Sequence, residues 1–223
     1  MMSATADMPR PYSRAERVSD GVVHVLGLAL ALIAVPALIA LTVGSGAGPA
    51  AVLGASVYGA TLLLMLTFSA LCNMVDSPRW AGLLRRLDHS AIYMKIAGTY
   101  TPFTLLSGGQ ALGLLAGLWT AAAFGLSLKM VAPRRLKWLA LGLYLAMGWA
   151  ALYAGGPMLA GLPGPVLALM LVGGGLYTVG VLFFLLKRLP FHNTIWHVFV
   201  LAASAVFFVA VALFIAELSV GAA

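Results

Sequence analysis

Charged residues are scarce in this chain, at 9% of 223 residues, whereas hydrophobic residues make up 62%. A water-soluble domain carries about 25% charged and about 45–50% apolar residues. A soluble fold could not hide this much apolar surface, so the composition excludes one and makes the bilayer the main solvent. The single cysteine, Cys72, also excludes an intrachain disulfide and cysteine-rich zinc motifs.

The first twenty residues lack an apolar core, which argues against a cleavable signal peptide. We expect residues 1–20 to form a cytoplasmic tail and residues 21–223 to form a single membrane domain. The net charge of +7 would suggest nucleic acid as a partner for a soluble protein. Here the basic residues form short clusters between apolar runs, so we expect no nucleic acid partner.

Apolar runs long enough to cross a bilayer recur along the chain. A hydrocarbon core about 30 Å thick needs about 20 apolar residues in a helix, and unpaired backbone groups exclude most other spanning structures. The sequence therefore predicts an all-α integral membrane protein, a bundle of seven transmembrane helices. The predicted spans are 21–43, 50–74, 89–106, 110–131, 136–154, 163–186 and 195–218.

Three links between these spans, GSGAGP, SGGQ and GGPMLAGLPG, contain no Lys or Arg. Twelve of the thirteen basic residues lie on the other side, in the tail or in the remaining links. Because basic residues are retained in the cytoplasm, the N-terminus is predicted to be cytoplasmic and the C-terminus outside. The twelve are Arg10, Arg14, Arg17, Arg79, Arg85, Arg86, Lys129, Arg134, Arg135, Lys137, Lys187 and Arg188.

Polar groups from four predicted helices meet in one layer near the cytoplasmic face. Ionisable groups at this depth are costly and are candidates for a functional site. Simpler roles stay open: His89 and His192 could sit at the interface, Asp88 could cap the third helix, and His24 could make a packing hydrogen bond. The layer comprises His24, Ser69, Asn73, Asp88, His89, His192, Asn193 and His197.

Lys95 is the only Lys or Arg that lies more than two residues inside a predicted span. It follows Asp88 by seven residues, which places their backbones about 10 Å apart on roughly the same helix face. Either the lysine extends to the headgroups, or it pairs with Asp88 directly or through water.

The chain resembles the hemolysin III family, the bacterial branch of the seven-helix progestin and adipoQ receptors. Three stretches carry the likeness: SDGVVHVLGLAL, FSALCNMVDSPRWAGLLRRLDHSAIYMKIAGTYTPF and LPFHNTIWHVFVLAAS. The resemblance extends more remotely to alkaline ceramidases. It implies a multi-pass protein of the bacterial inner (plasma) membrane, with membrane lipids as partners.

The resemblance also implies a zinc site with one histidine from helix two and two from helix seven, completed through a water by an aspartate from helix three. The matching positions are Asn73, Asn193, His197 and Asp88. Because a neutral amide is a poor zinc ligand, only His197 and Asp88 remain as metal ligands, and we expect no bound metal. A polar network of His24, Asn73, Lys95 and Asn193 would then replace zinc. A site restored by His24 or His192 stays open.

Two functions follow as expectations. The first is a non-catalytic, metal-free module in membrane lipid homeostasis or sensing. The alternative is a zinc-dependent hydrolase of ceramide-type lipid amides, with Ser69 and Asp88 as catalytic residues. A pore-forming hemolysin or an ion path is less favoured, because the spans lack a polar stripe.

Overall fold

The computed structural model describes residues 12–107, 111–131 and 136–221, and this part of the chain forms helices without strands. The helices are α1 (Arg14–Gly44), α2 (Pro49–Met74), α3 (Ala81–Leu105), α4 (Leu112–Val131), α5 (Lys137–Gly148), α6 (Ala150–Ala154), α7 (Gly156–Ala160), α8 (Gly164–Leu185) and α9 (His192–Gly221).

Five of these helices, α1, α2, α4, α8 and α9, are long and apolar enough to cross a membrane. They coincide with the predicted spans 21–43, 50–74, 110–131, 163–186 and 195–218. The prediction of an all-helical protein with several membrane helices is therefore confirmed. The count of seven spans and the orientation of the termini stay predictions.

Helix α3 begins at Ala81, eight residues before the start predicted from the apolar run. Its first two turns, AGLLRRLD, consist largely of residues with good helix propensity, so the helix continues where the hydropathy falls. Asp88 consequently lies inside α3, and the alternative that it caps this helix is wrong.

The fifth predicted span, 136–154, is interrupted. Helix α5 ends at Gly148, and the short helices α6 and α7 follow Trp149 and Gly155. Glycine disfavours a continuous helix here. Tyr100 of α3 pairs with the interrupted backbone: its hydroxyl donates to the Gly148 carbonyl at 2.8 Å and accepts from the Ala151 amide at 3.2 Å.

Helices α1 and α9 lie side by side and run in the same direction. The Ser19 and Thr194 hydroxyls are 3.0 Å apart near their N-termini, and Ser219 Oγ donates to Ser45 Oγ at 3.1 Å near the opposite ends. Because the two helices are parallel and aligned at both ends, side chains near the start of α1 can contact side chains near the start of α9.

The start of α1 is held by a capping box. The Ser13 hydroxyl accepts from the Glu16 amide, and the Glu16 carboxylate accepts from the Ser13 amide at 2.8 Å. The other Glu16 oxygen accepts from the Phe191 amide at 2.8 Å, immediately before α9. Helix α1 therefore begins at Arg14, seven residues before the predicted span, and one carboxylate ties it to the start of α9.

Candidate functional site

The centre of the polar layer is Asp20, on the second turn of α1. Its Oδ1 lies 2.6 Å from His197 Nδ1 of α9, and its Oδ2 accepts from Asn193 Nδ2 at 3.2 Å. His24, one turn further along α1, places Nε2 3.7 Å from Asp20 Oδ2. We call Asp20, His24, Asn193 and His197 the Asp20 cluster.

The cluster is shielded from solvent by α1 and α9. Asp20, His24 and His197 are only 3%, 4% and 8% exposed, and the two imidazole rings are 4.3 Å apart between centroids. A short hydrogen bond to a buried carboxylate is stronger than a neutral one, so the Asp20–His197 contact joins the two helices firmly. His24 Nε2 is buried without a hydrogen-bond partner among the described residues.

Helix α2 joins the cluster through Asn73. Asn193 Nδ2, which donates to Asp20, also lies 3.3 Å from Asn73 Oδ1, and Asn73 Nδ2 donates to the Ser69 carbonyl at 2.9 Å. The structure thus brings together Asn73, Asn193 and His197, the positions that match the implied zinc histidines. Asp20 accepts hydrogen bonds from two of them.

Asp88 lies apart from this arrangement. It is not among the acidic and histidine groups whose ligand atoms gather with Asp20. Asp88 is therefore not a direct member of this group of possible ligands, and the water-mediated role that the resemblance implies for it stays a prediction.

Lys95 also lies outside the Asp20 cluster. Its Nζ donates to Thr99 Oγ1 at 2.6 Å and lies 4.2 Å from the centre of the Tyr58 ring. Thr99 is one turn further from Asp88, so the side chain does not form the direct Asp88 pair. At 3% exposure it does not extend to the headgroups either.

The remaining two histidines, His89 and His192, lie outside the Asp20 cluster. The His89 carbonyl accepts from the Tyr144 hydroxyl at 2.7 Å, which joins α3 to α5. The His192 ring lies 6.4 Å from the Tyr12 ring, between centroids. Neither ring belongs to the group of possible metal ligands among the described residues.

Asp20 is the residue that sequence reasoning missed. It was assigned to the tail because it stands just before the first apolar run. The signal was its spacing from His24: residues four apart share a helix face, so an acidic residue and a histidine at this interval indicate a helix that starts earlier.

Asp20, His24 and His197 offer ligand atoms that all lie within 4.8 Å of one another, close enough to hold a metal ion. The present spacing between Asp20 and His197 is that of a hydrogen bond. Two ligands on a tetrahedral zinc with bonds of about 2.0–2.1 Å lie about 3.3 Å apart. Binding zinc here would require the 2.6 Å contact to open.

A cavity of about 1330 Å³ extends from the Asp20 cluster into the helix bundle. Along α3 its lining residues run from Ala81 to Tyr100, a distance of about 28 Å at 1.5 Å per residue. Both polar and apolar side chains line it. Among the site residues it includes His24, Ser69, Asn73, Asp88, Lys95, Asn193 and His197.

The apolar helices and the buried polar layer define a multi-pass helical membrane protein. The sequence family described as "Haemolysin-III related" matches residues 12–208, nearly the whole described chain. The chain belongs to this hemolysin III family.

Two relatives align with this chain over most of their length. Hemolysin-3 of Bacillus cereus is 41% identical over 204 residues, which cover 90% of this chain and 92% of the relative. The Hemolysin-3 homolog of Bacillus subtilis (strain 168) is 36% identical over 197 residues, covering 86% and 91%.

Proposed function

We propose that this protein is a non-catalytic membrane module that binds a membrane lipid in its central cavity and serves lipid homeostasis or sensing. The observation that carries the proposal is the cavity of about 1330 Å³, with polar groups at one end and apolar walls further in. A lipid has the same division between a polar head and an apolar chain.

The cavity fits a lipid lying with its head towards the polar layer. Arg85 and Lys187 line the end near the Asp20 cluster, whereas Ile96, Val200 and Phe207 line deeper parts. An apolar chain that enters from the bilayer exchanges one apolar surrounding for another, so binding would depend on the basic end, which attracts anionic headgroups.

Access from the bilayer is proposed between α5 and α8. Both helices line the cavity, but neither packs mainly on the other. Helix α5 packs on α3 and α4, and helix α8 packs on α9. Trp149 Nε1 donates to Thr178 Oγ1 at 3.1 Å and closes this side at one level. A lipid chain would pass between α5 and α8 on the side of the Trp149–Thr178 hydrogen bond that is nearer to Arg85.

We further propose seven spans in the bacterial inner membrane, with a cytoplasmic N-terminus. Helix α3 has 25 residues, about 37 Å, and α5 with α6 covers 18 residues, about 27 Å. Parallel α1 and α9 begin at the same face, which requires an even number of crossings before α9 starts. The distribution of basic residues supports assigning that face to the cytoplasm.

The Asp20 cluster is proposed to work without a metal. Where the family pattern has histidines, Asn193 donates to the Asp20 carboxylate and to Asn73 Oδ1, and His197 contacts the same carboxylate. The buried Asp20 carboxylate would thus join α1, α2 and α9, where the family pattern implies a zinc ion.

Metal analysis of the purified protein after incubation with zinc tests this point. We expect much less than one zinc per chain. Stoichiometric zinc in the wild type that disappears in His197→Ala would contradict the metal-free proposal.

A zinc-dependent lipid amide hydrolase remains the alternative. The close ligand atoms of Asp20, His24 and His197 favour it, and Ser69 lines the same cavity. No histidine bonds to the Ser69 hydroxyl in the described parts of the chain, so Ser69 lacks a base to activate it.

Lipid content and turnover separate the two functions. Mass spectrometry of protein extracted in mild detergent should show a retained lipid, and incubation with ceramide-type amides should release no fatty acid. Fatty acid release that depends on His197 would support the hydrolase. A protein free of lipid that also fails to bind added lipid would contradict the lipid-binding module.

A further inference from the structure

Lys95 is a fully enclosed cation in the middle of α3. Its Nζ has one hydrogen-bond acceptor in the described structure, Thr99 Oγ1 at 2.6 Å, and the Tyr58 ring covers another side at 4.2 Å. The Thr99 hydroxyl donates back to the Lys95 carbonyl at 2.7 Å. An ammonium has three donors, so this environment leaves part of its hydrogen-bonding capacity open.

No carboxylate forms an ion pair with Lys95 across the described ranges. Removing a lone cation from water costs several kcal/mol after relaxation, and an aromatic ring returns only a fraction of that. A buried lysine that lines a cavity and has no carboxylate beside it is a candidate to pair with an anion from outside, and such an anion would favour its charged form.

Lys95 faces the central cavity at a level where the walls are mostly apolar. It lines this space together with Ile92, Ile96 and Leu201. Asp88, at the polar end, is seven residues or about 10 Å away along α3. A partner that reaches Lys95 must therefore carry a small anionic group on a largely apolar body.

We propose that Lys95 binds the carboxylate of a long-chain fatty acid held in the central cavity. This rests on the lipid-binding function proposed above, names its ligand class and places the acid group at Lys95, about 10 Å deeper than the polar end of the cavity. One carboxylate balances one ammonium and accepts more than one of its hydrogen bonds. A phosphate monoester would bring a second negative charge, and a phosphodiester headgroup would bury further polar groups without partners.

The test compares a long-chain fatty acid with the fatty alcohol and the alkyl phosphate of the same chain length. Binding to the delipidated full-length protein is measured in one detergent. A hydrogen bond to a charged group contributes about 1.5–3 kcal/mol, so wild type should bind the acid roughly 10- to 100-fold more tightly than the alcohol.

Three variants test whether the preference for the acid over the alcohol depends on Lys95. Lys95→Met keeps the length and removes the charge, and it should reduce the acid-to-alcohol ratio to about one. Lys129→Met removes another buried lysine that lines the same cavity, and it should leave the ratio unchanged. Thr99→Val should keep most of the preference, because the charge remains.

Each contrary result is informative. Equal affinity for acid and alcohol in the wild type overturns the Lys95 site while the lipid-binding function stands, and this comparison needs no variant. An unchanged ratio in Lys95→Met overturns it as well. Tighter binding of the alkyl phosphate contradicts the carboxylate assignment. Failure of all three lipids to bind contradicts the proposed function itself.

Discussion

Asp20 Oδ1 lies 2.6 Å from His197 Nδ1, which joins the second turn of α1 to α9 across 177 residues of sequence. The same carboxylate accepts from Asn193, whose amide also contacts Asn73 on α2. A single acidic side chain therefore connects three helices at one face of the bundle.

Asp20→Asn should lower the stability of the folded protein by about 2–3 kcal/mol. The substitution keeps the shape and removes the charge that strengthens the bonds from His197 and Asn193, and hydrogen bonds to charged groups contribute about 1.5–3 kcal/mol. Unfolding in mixed micelles measures the change. Asp76→Asn, at an exposed position between α2 and α3, is the matched control and should change stability by less than about 0.5 kcal/mol. Equal effects of the two variants would contradict a central role for Asp20.

Zinc binding should be restored when the two asparagines are replaced by the histidines of the family pattern and the Asp20 carboxylate is neutralised. In the triple variant Asp20→Asn, Asn73→His, Asn193→His, two imidazoles join His197 and the internal carboxylate is neutralised. Three imidazoles are a known zinc ligand set, so we expect about one zinc per chain by metal analysis.

The control for this experiment is Asp20→Asn alone, which lacks the added imidazoles and should bind little zinc. A triple variant that folds and still binds none would show that the three positions do not converge closely enough, which would contradict the geometry around Asp20.

Hydropathy predicted five of the helices because an apolar run of 20 or more residues has few alternatives in a bilayer. It missed the first seven residues of α1 and eight of α3, where polar side chains lie on helical turns at the membrane face. Hydropathy marks the part of the chain that crosses the hydrocarbon, whereas a helix ends where its backbone hydrogen bonds end. The break at Trp149 was also missed, because the neighbouring residues are as apolar as those of a continuous span.

The site was predicted in part. The interval between Asn193 and His197 places them on one helix face, and their level matches Asn73, so their meeting followed from spacing and topology. Asp20 was overlooked because a charge beside a polar tail was taken for part of that tail. The side-chain direction of Lys95 could not be predicted either, because a lysine can reach either way along a helix.

Gly98 should be intolerant of a larger side chain, because Thr61 of α2 packs directly against it. A Cβ atom at this position would meet Thr61 Oγ1 at 2.1 Å. Gly98→Ala should therefore lower stability by about 1–3 kcal/mol, the usual cost of overpacking.

Gly113→Ala on α4 is the matched control, since nothing lies within 4 Å of its added Cβ. Alanine is the better helix former, so this variant should be neutral or up to about 1 kcal/mol more stable. Thermal unfolding of both variants in the same detergent decides the comparison. Similar losses in both would show that α2 and α3 are less closely packed than Gly98 and Thr61 indicate.

Glu16→Ala should lower stability by about 2 kcal/mol, because the carboxylate accepts from the Ser13 amide on one oxygen and from the Phe191 amide on the other. Both are backbone donors near helix starts, and leaving them unpaired is costly. Glu16→Gln keeps one acceptor oxygen and should lose about half as much. Unfolding in mixed micelles measures both, and an equal loss would contradict the two-bond arrangement.

Lys95→Met should stabilise the delipidated protein by about 1–3 kcal/mol, because an apolar side chain of similar length removes a buried charge that has no anion beside it. Adding long-chain fatty acid should reverse the order: binding to the folded state stabilises the wild type in proportion to RT ln(1 + [L]/Kd), and the variant gains less. Thermal unfolding with and without the acid measures both effects, with Lys129→Met as the control. A Lys95→Met variant that is less stable without lipid and gains as much from the acid would mean that the lysine serves the fold and not the ligand.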